Sequence, residues 1–173
     1  VSITVIEDNL INIKAGQSDF TLNGMEKELY LEIVFNTLNN PIILKVEELR
    51  SLISQTNFAT SLLENRPILT GVLFDLHGNK LRAVATDSYR LAQKEIELNV
   101  GYDSKQIVIP RRTLEELSRI LGSDEQVEMF LADNKVIFKY KNLMFQSRLL
   151  EGRFPETSKL IPIEFPVEVS FNK

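Results

Sequence analysis

Hydrophobic and polar residues alternate with a period of two along most of this chain, and only two stretches follow the helical period of about 3.6. Alternation marks half-buried strands. It runs through Gly71 to Leu76, Leu81 to Ala85, Leu91 to Leu98, Gln106 to Ile109, Val127 to Leu131, Val136 to Tyr140 and Met144 to Leu149. His77-Gly78-Asn79 separates two of these runs and reads as a hairpin turn, because Gly and Asn accept turn conformations that other residues resist. The first helix is expected over Val46 to Ala59. There Val46, Leu49, Leu52, Ile53 and Thr56 share one face, while Glu47, Arg50, Ser51, Ser54 and Gln55 share the other. The second is expected over Pro110 to Leu121, with Leu114, Leu117, Ile120 and Leu121 as its buried stripe. Thr113 and Glu116 fit a capping box, and Arg111, Arg112, Ser118 and Arg119 point outward. The pattern is that of an α+β fold dominated by antiparallel hairpins.

The alternation also repeats over a long interval. ITVIEDNLINIKAGQSDFTL is built around Asp8-Asn9 and EMFLADNKVIFKYKNLMFQS around Asp133-Asn134, with a separation of 133 − 8 = 125. The strands opened by Pro41 (PIILKV) and Pro166 (PVEVSF) share that offset, 166 − 41 = 125. A shorter similarity, EELRSLI from Glu47 and EELSRIL from Glu115, is nested inside it at 115 − 47 = 68. Each nested unit reads as strand, helix, then strands. One whole domain would therefore span Pro41 to Phe165, with residues 1–40 the tail of a preceding copy and residues 166–173 the first strand of a following one. That the chain starts at Val1 and not Met leads us to expect that something precedes it.

Composition narrows the chemistry. The 173 residues are 43% hydrophobic, which is enough for a real core. There is no cysteine, so disulfides and thiolate metal sites are excluded, and a cytoplasmic protein without a membrane anchor is expected. A net charge of −4 argues against indiscriminate coating of nucleic acid while leaving room for a local basic face. The single histidine, His77, sits in the expected turn, where a solvated role outweighs that of a general base. The seven glycines are too widely spaced for a dinucleotide or phosphate loop. Asp75 and Asp87 could share a hard cation, but Asp87 reads better as a turn residue accepting hydrogen bonds from nearby backbone. No cofactor and no catalytic set is expected.

VATDSYRLA (Val84 to Ala92) closely resembles the signature of bacterial sliding clamps, the beta subunits of DNA polymerase III. RPILTGVLF (Arg66 to Phe74) precedes it at the right distance, and IVIPRRTLEEL (Ile107 to Leu117) and LLEGRFPET (Leu149 to Thr157) follow. The resemblance implies the DNA-clamp fold: duplicated β-α-β-β-β units with antiparallel sheets outside and two helices on the inner face. Residues 1–40 then resemble the C-terminal part of the first clamp domain, residues 41–165 the complete middle domain, and residues 166–173 the opening strand of the third. It implies a non-catalytic processivity factor that encircles double-stranded DNA without reading sequence. Its full-length form would close as a homodimeric ring, while this piece is expected to be monomeric.

Two sites follow from the resemblance. The helices would turn Arg50, Arg111, Arg112 and Arg119 toward DNA, although an ordinary solvated helix face explains the same residues. A pocket for short peptides of the polymerase, clamp loader and repair proteins would be built from Leu69, Thr86, Ser88, Tyr89, Arg90, Leu91, Pro155 and Leu160, with Lys159 at the rim. Read without the resemblance, Leu69, Leu91 and Leu160 are core residues. Ser88 and Tyr89 depart from the small and His-like residues of other members, and ELYLEI (Glu28 to Ile33) lacks the proline of GRFPET. In that family the third domain completes the pocket. The competing reading is a β-rich peptide-binding adaptor that does not bind DNA.

Overall fold

Alternation in the first part of the chain produces a small antiparallel meander, β1 (Ser2–Val5), β2 (Leu10–Ala15) and β3 (Ser18–Asn23), in the order β1-β2-β3. A single 3-10 turn, Lys27–Leu29, follows. The computed structural model describes residues 1–6, 9–30, 35, 40–123, 126–157, 161, 164, 166, 167, 169 and 170. They belong to two compact units, Val1–Val34 and Phe35–Lys173. Asp8, residues 31–33 of ELYLEI and residues 168 and 171–173 of the expected last strand lie outside the described residues.

In the second unit, β4 (Ile42–Lys45) leads directly into α1 (Val46–Thr56). A long ribbon of β5 (Gly71–Thr86) and β6 (Leu91–Pro110) follows, and β6 runs into α2 (Arg111–Ile120). The chain then folds into β7 (Gln126–Leu131), β8 (Lys135–Tyr140) and β9 (Leu143–Arg148). These strands form an antiparallel sheet in the order β4-β7-β8-β9. The spans of β8 and β9 are those of β2 and β3 moved on by 125 residues, and the cross-strand register moves with them: Ile13 faces Phe20 as Phe138 faces Phe145. The turns agree as well. Gly16 has φ +60 and Lys141, at the matching place, has φ +54. Only the lysine carries a Cβ into that left-handed region, so Lys141→Gly should raise stability by about 0.5–1 kcal/mol, as a small upward shift of the thermal midpoint.

His77-Gly78-Asn79 is not a hairpin turn. β5 passes straight through it, paired with β6 from Gly71↔Pro110 to Thr86↔Leu91, with register shifts on either side of Gly78. The shifts have a packing reason. Val72, Phe74 and Leu76 share the main core with Leu81, Ala83 and Ala85, although Leu76 and Leu81 are an odd number of residues apart. In a regular strand an odd step reverses the face, so an irregularity is needed to keep both halves on one core. β6 does the same between Leu98 and Ile107. Gly78, at φ +58, supplies the backbone freedom at this point.

Both helices bury their stripes in that core. Val46, Leu49, Leu52, Ile53 and Thr56 of α1 are buried as expected. In α2, Leu114 and Leu117 are buried, but Ile120 is 40% exposed. It is the last helical residue; Leu121 follows in extended conformation and takes the buried place at 1% exposure. The capping box does not form either. The helix starts at Arg111 after Pro110, so Thr113 lies inside the first turn, where its hydroxyl pairs with Ser147 at 2.7 Å. Two tyrosines fasten the sheet to the rest. Tyr102 of β6 accepts the Ile43 N–H and donates to the Pro41 carbonyl, both at 3.2 Å. Tyr140 accepts the Gly122 N–H at 3.1 Å.

Candidate functional site

Two faces of the second unit carry the side chains singled out in the sequence. On the helical face, α1 and α2 run antiparallel and side by side. The Arg50 guanidinium donates to the carbonyls of Leu121 and Ser118 at the end of α2, and Asn57, just beyond α1, donates to Glu115 in the first half of α2. A cation at a helix C-terminus satisfies orphan carbonyls and meets the negative end of the helix dipole, so Arg50 holds the pair together as well as presenting charge. Arg111 donates through Nε to Glu115 at 2.7 Å, and Arg119, 72% exposed, pairs with Glu116 at 3.0 Å. Arg112 is exposed and has no ion pair among the described residues. Arg111 and Arg112 line one wall of a 370 Å³ hollow with Leu62 and Glu64 on the other. All four arginines thus stand on the paired helices, and among the described residues Arg111 and Arg119 have carboxylate partners, Arg50 has carbonyls, and Arg112 has no ion pair.

The opposite face of the β5–β6 ribbon has its own small apolar cluster. Leu69, Leu73, Val84, Val108 and Phe154 are buried there, with Ile68, Leu91 and Leu150 packed on them. Leu69 comes from a 3-10 turn (Pro67–Thr70) that delivers the chain into β5. At 2% exposure it is a floor, while Leu91 is only half-buried. The turn joining β5 to β6 stands at the end of the same ribbon and is built by side chains. Thr86 Oγ1 donates to the Arg90 carbonyl at 2.7 Å and accepts the Ser88 N–H at 3.1 Å. Asp87 Oδ1 accepts the N–H groups of Tyr89 and Arg90, both at 3.0 Å, and Oδ2 accepts Arg90 Nε–H at 3.0 Å. The Tyr89 and Arg90 N–H groups, assisted by the guanidinium, hold the Asp87 carboxyl below the usual carboxylate range. Ser88 takes φ +79 and its hydroxyl accepts from Arg66 at 3.3 Å; Tyr89 is 98% exposed.

Leu69 enters at the Gly71 end of the ribbon and the Thr86–Arg90 turn closes the other, yet the two are brought together: Leu69 shares the apolar cluster with Val84 and Leu91, and Arg66 reaches Ser88. Pro155 is half-buried next to Phe154 and borders a 220 Å³ hollow with Arg82 and Gln106. Lys159 and Leu160 lie outside the described residues. Asp75 is engaged by Arg82 and Gln106, so it shares no ligand role with Asp87, which closes its own turn. Sequence reading did not single out Phe58, whose ring lies 5.9 Å from the Arg90 guanidinium carbon, or Phe154 of the apolar cluster. Nothing in the local pattern marks them, because their partners lie far along the chain.

Comparison with known proteins gives a concordant result. The family described as DNA polymerase III beta subunit, central domain, matches residues 43–156. The beta sliding clamp of Streptococcus pneumoniae is 44% identical over 169 residues, 96% of this chain and 45% of that protein. That of Staphylococcus epidermidis is 39% identical over 161 residues, covering 92% of this chain and 43% of the relative. Among solved structures, the DNA polymerase sliding clamp of Bacillus subtilis superposes with a TM-score of 0.87 at 38% identity, over 94% of this chain and 43% of that one. The DNA polymerase III beta chain of S. pneumoniae gives 0.85 at 43% identity, over 94% and 44%. The chain spans less than half the length of the relatives it matches.

Proposed function

Because this chain belongs to the DNA polymerase III beta subunit family, we propose that it forms part of a non-catalytic clamp that encircles double-stranded DNA and tethers a polymerase. In this reading residues 41–165 are the middle domain, flanked by parts of the first and third. The longer protein closes as a homodimeric ring, and this piece alone, at 19.8 kDa, sediments as a monomer. The observation that carries the proposal is the pairing of α1 and α2 through Arg50, with Arg111, Arg112 and Arg119 on the second of the two helices. A sliding ring needs cations that meet phosphates without reading bases. The helices supply them, whereas the peptide-contacting residues lie on the opposite face of the ribbon and leave the duplex side clear.

Charge reversal tests this. In the full-length protein, Arg111→Glu with Arg112→Glu should shorten retention on circular DNA, and each lost phosphate contact should reduce the salt-dependence slope by about 0.9. Affinity for a partner peptide should stay within about twofold, since rim charges far from a site act weakly through salt-screened water. Arg50→Glu should behave differently and lower the thermal midpoint, because it removes the tie to the end of α2. Unchanged retention in the double variant would favour the adaptor reading, in which DNA has no part.

A further inference from the structure

The β5–β6 turn contains one charged group that the pocket reading leaves without a task. Asp87 uses both carboxylate oxygens inside the turn: one receives two backbone N–H groups and the other receives Arg90 Nε–H. The Arg90 guanidinium also lies over the Phe58 ring, 5.9 Å from its centroid. Asp87 thus fixes one edge of the guanidinium and Phe58 its plane, while the Arg90 side chain remains 55% exposed. An arginine is a flexible side chain with a rigid planar head, and most of the loss on binding is rotamer freedom. A head anchored beforehand has less freedom to lose.

We propose that Asp87 is a positioning residue for peptide capture: with Phe58 it presents the terminal nitrogens of Arg90 to an acceptor on a peptide lodged beside Leu69 and Leu91. The acceptor is a backbone carbonyl or a carboxylate near the apolar anchor, since a guanidinium offers only donors. Arg66, which donates to Ser88 on the same turn, adds a second positive charge and favours the carboxylate. This inference rests on the peptide-pocket reading and adds to it a residue that contacts no ligand itself.

The test uses the full-length protein and a fluorescein-labelled synthetic peptide with a Leu-Phe anchor and one aspartate, read by anisotropy. Asp87→Ala should weaken binding about tenfold, and Asp87→Asn, which keeps the acceptor for the two N–H groups but not the charge, about threefold. Phe58→Leu should cost about threefold through loss of the ring beneath the cation. In an Arg90→Ala background, Asp87→Ala should cause no further loss, since the carboxylate acts through that arginine. A general softening of the turn would instead weaken binding in both backgrounds, and that result overturns the proposal. Leu91→Glu separates the two levels. If it abolishes binding while Asp87→Ala leaves the affinity within twofold, positioning by Asp87 is wrong and the pocket stands. If the wild type does not bind the probe, or Leu91→Glu has no effect, the pocket and the inference fall together.

Discussion

Gly71→Ala is expected to destabilise the second unit by about 3 kcal/mol, measured as a lower urea midpoint with an unchanged m-value. A Cβ at this position would lie 2.5 Å from the Ile109 carbonyl oxygen, 2.7 Å from Leu150 Cδ1 and 2.9 Å from Val108 Cγ1. The carbonyl belongs to β6, paired to the residue beside Gly71, and cannot withdraw without breaking the ladder. Backbone conformation is not the difficulty, since Gly71 has φ −128, which alanine adopts freely. Gly78→Ala is the matched control: φ is +58 and nothing lies within 4 Å of the added carbon, so it should cost only about 1 kcal/mol. An equal loss in the two variants would show that contact at Gly71 does not govern. Because Leu150 packs on the apolar cluster that holds Leu69, the Gly71 variant should also weaken peptide binding.

Leu117→Ala should cost about 3 kcal/mol and lower the thermal midpoint by roughly 10 °C. Leu117 is fully buried and belongs to the main core together with Leu114 and Leu121. The helix packs against α1, residues 57–59 and both strands of the β5–β6 ribbon, which leaves little freedom to collapse into the space. Replacing the outward Ser118 by alanine, on the same turn, should stay within about 0.5 kcal/mol. A loss below about 1 kcal/mol for Leu117 would mean that α2 is not anchored as the structure has it, and its arginines would then have no fixed aim.

Much of this architecture is readable from periodicity. The α1 stripe and the β7-β8-β9 meander follow directly from the spacing of apolar residues, and the 125-residue repeat reappears as a repeated strand register. The ribbon was not readable, and the reason lies in which atoms make a turn. His77-Gly78-Asn79 has turn-forming residue types but serves as an irregularity inside a strand. The real turn, Thr86 to Arg90, has no glycine and is closed by Thr86 and Asp87 side chains, with Ser88 itself taking the left-handed conformation. Asp87 was recognisable as an acceptor for nearby backbone, but its hold on Arg90 needs the folded side chains. The arginines of α2 were legible as an outward face; that Arg50 would reach the end of the other helix was not, since 71 residues separate it from Leu121.

Leu76 and Leu81 stand five residues apart, an odd step that a regular strand could not use to keep both on one face. A chain one residue shorter there would keep all six inward side chains on the core with plain alternation, and would be straighter. The ladder makes up the difference on β6, which covers 105 − 97 = 8 residues where β5 covers 80 − 76 = 4, so the ribbon bends at Gly78. Two paired strands of unequal length over one stretch cannot both run straight, so the curvature of this ribbon is written in residue counts and not in any one side-chain contact.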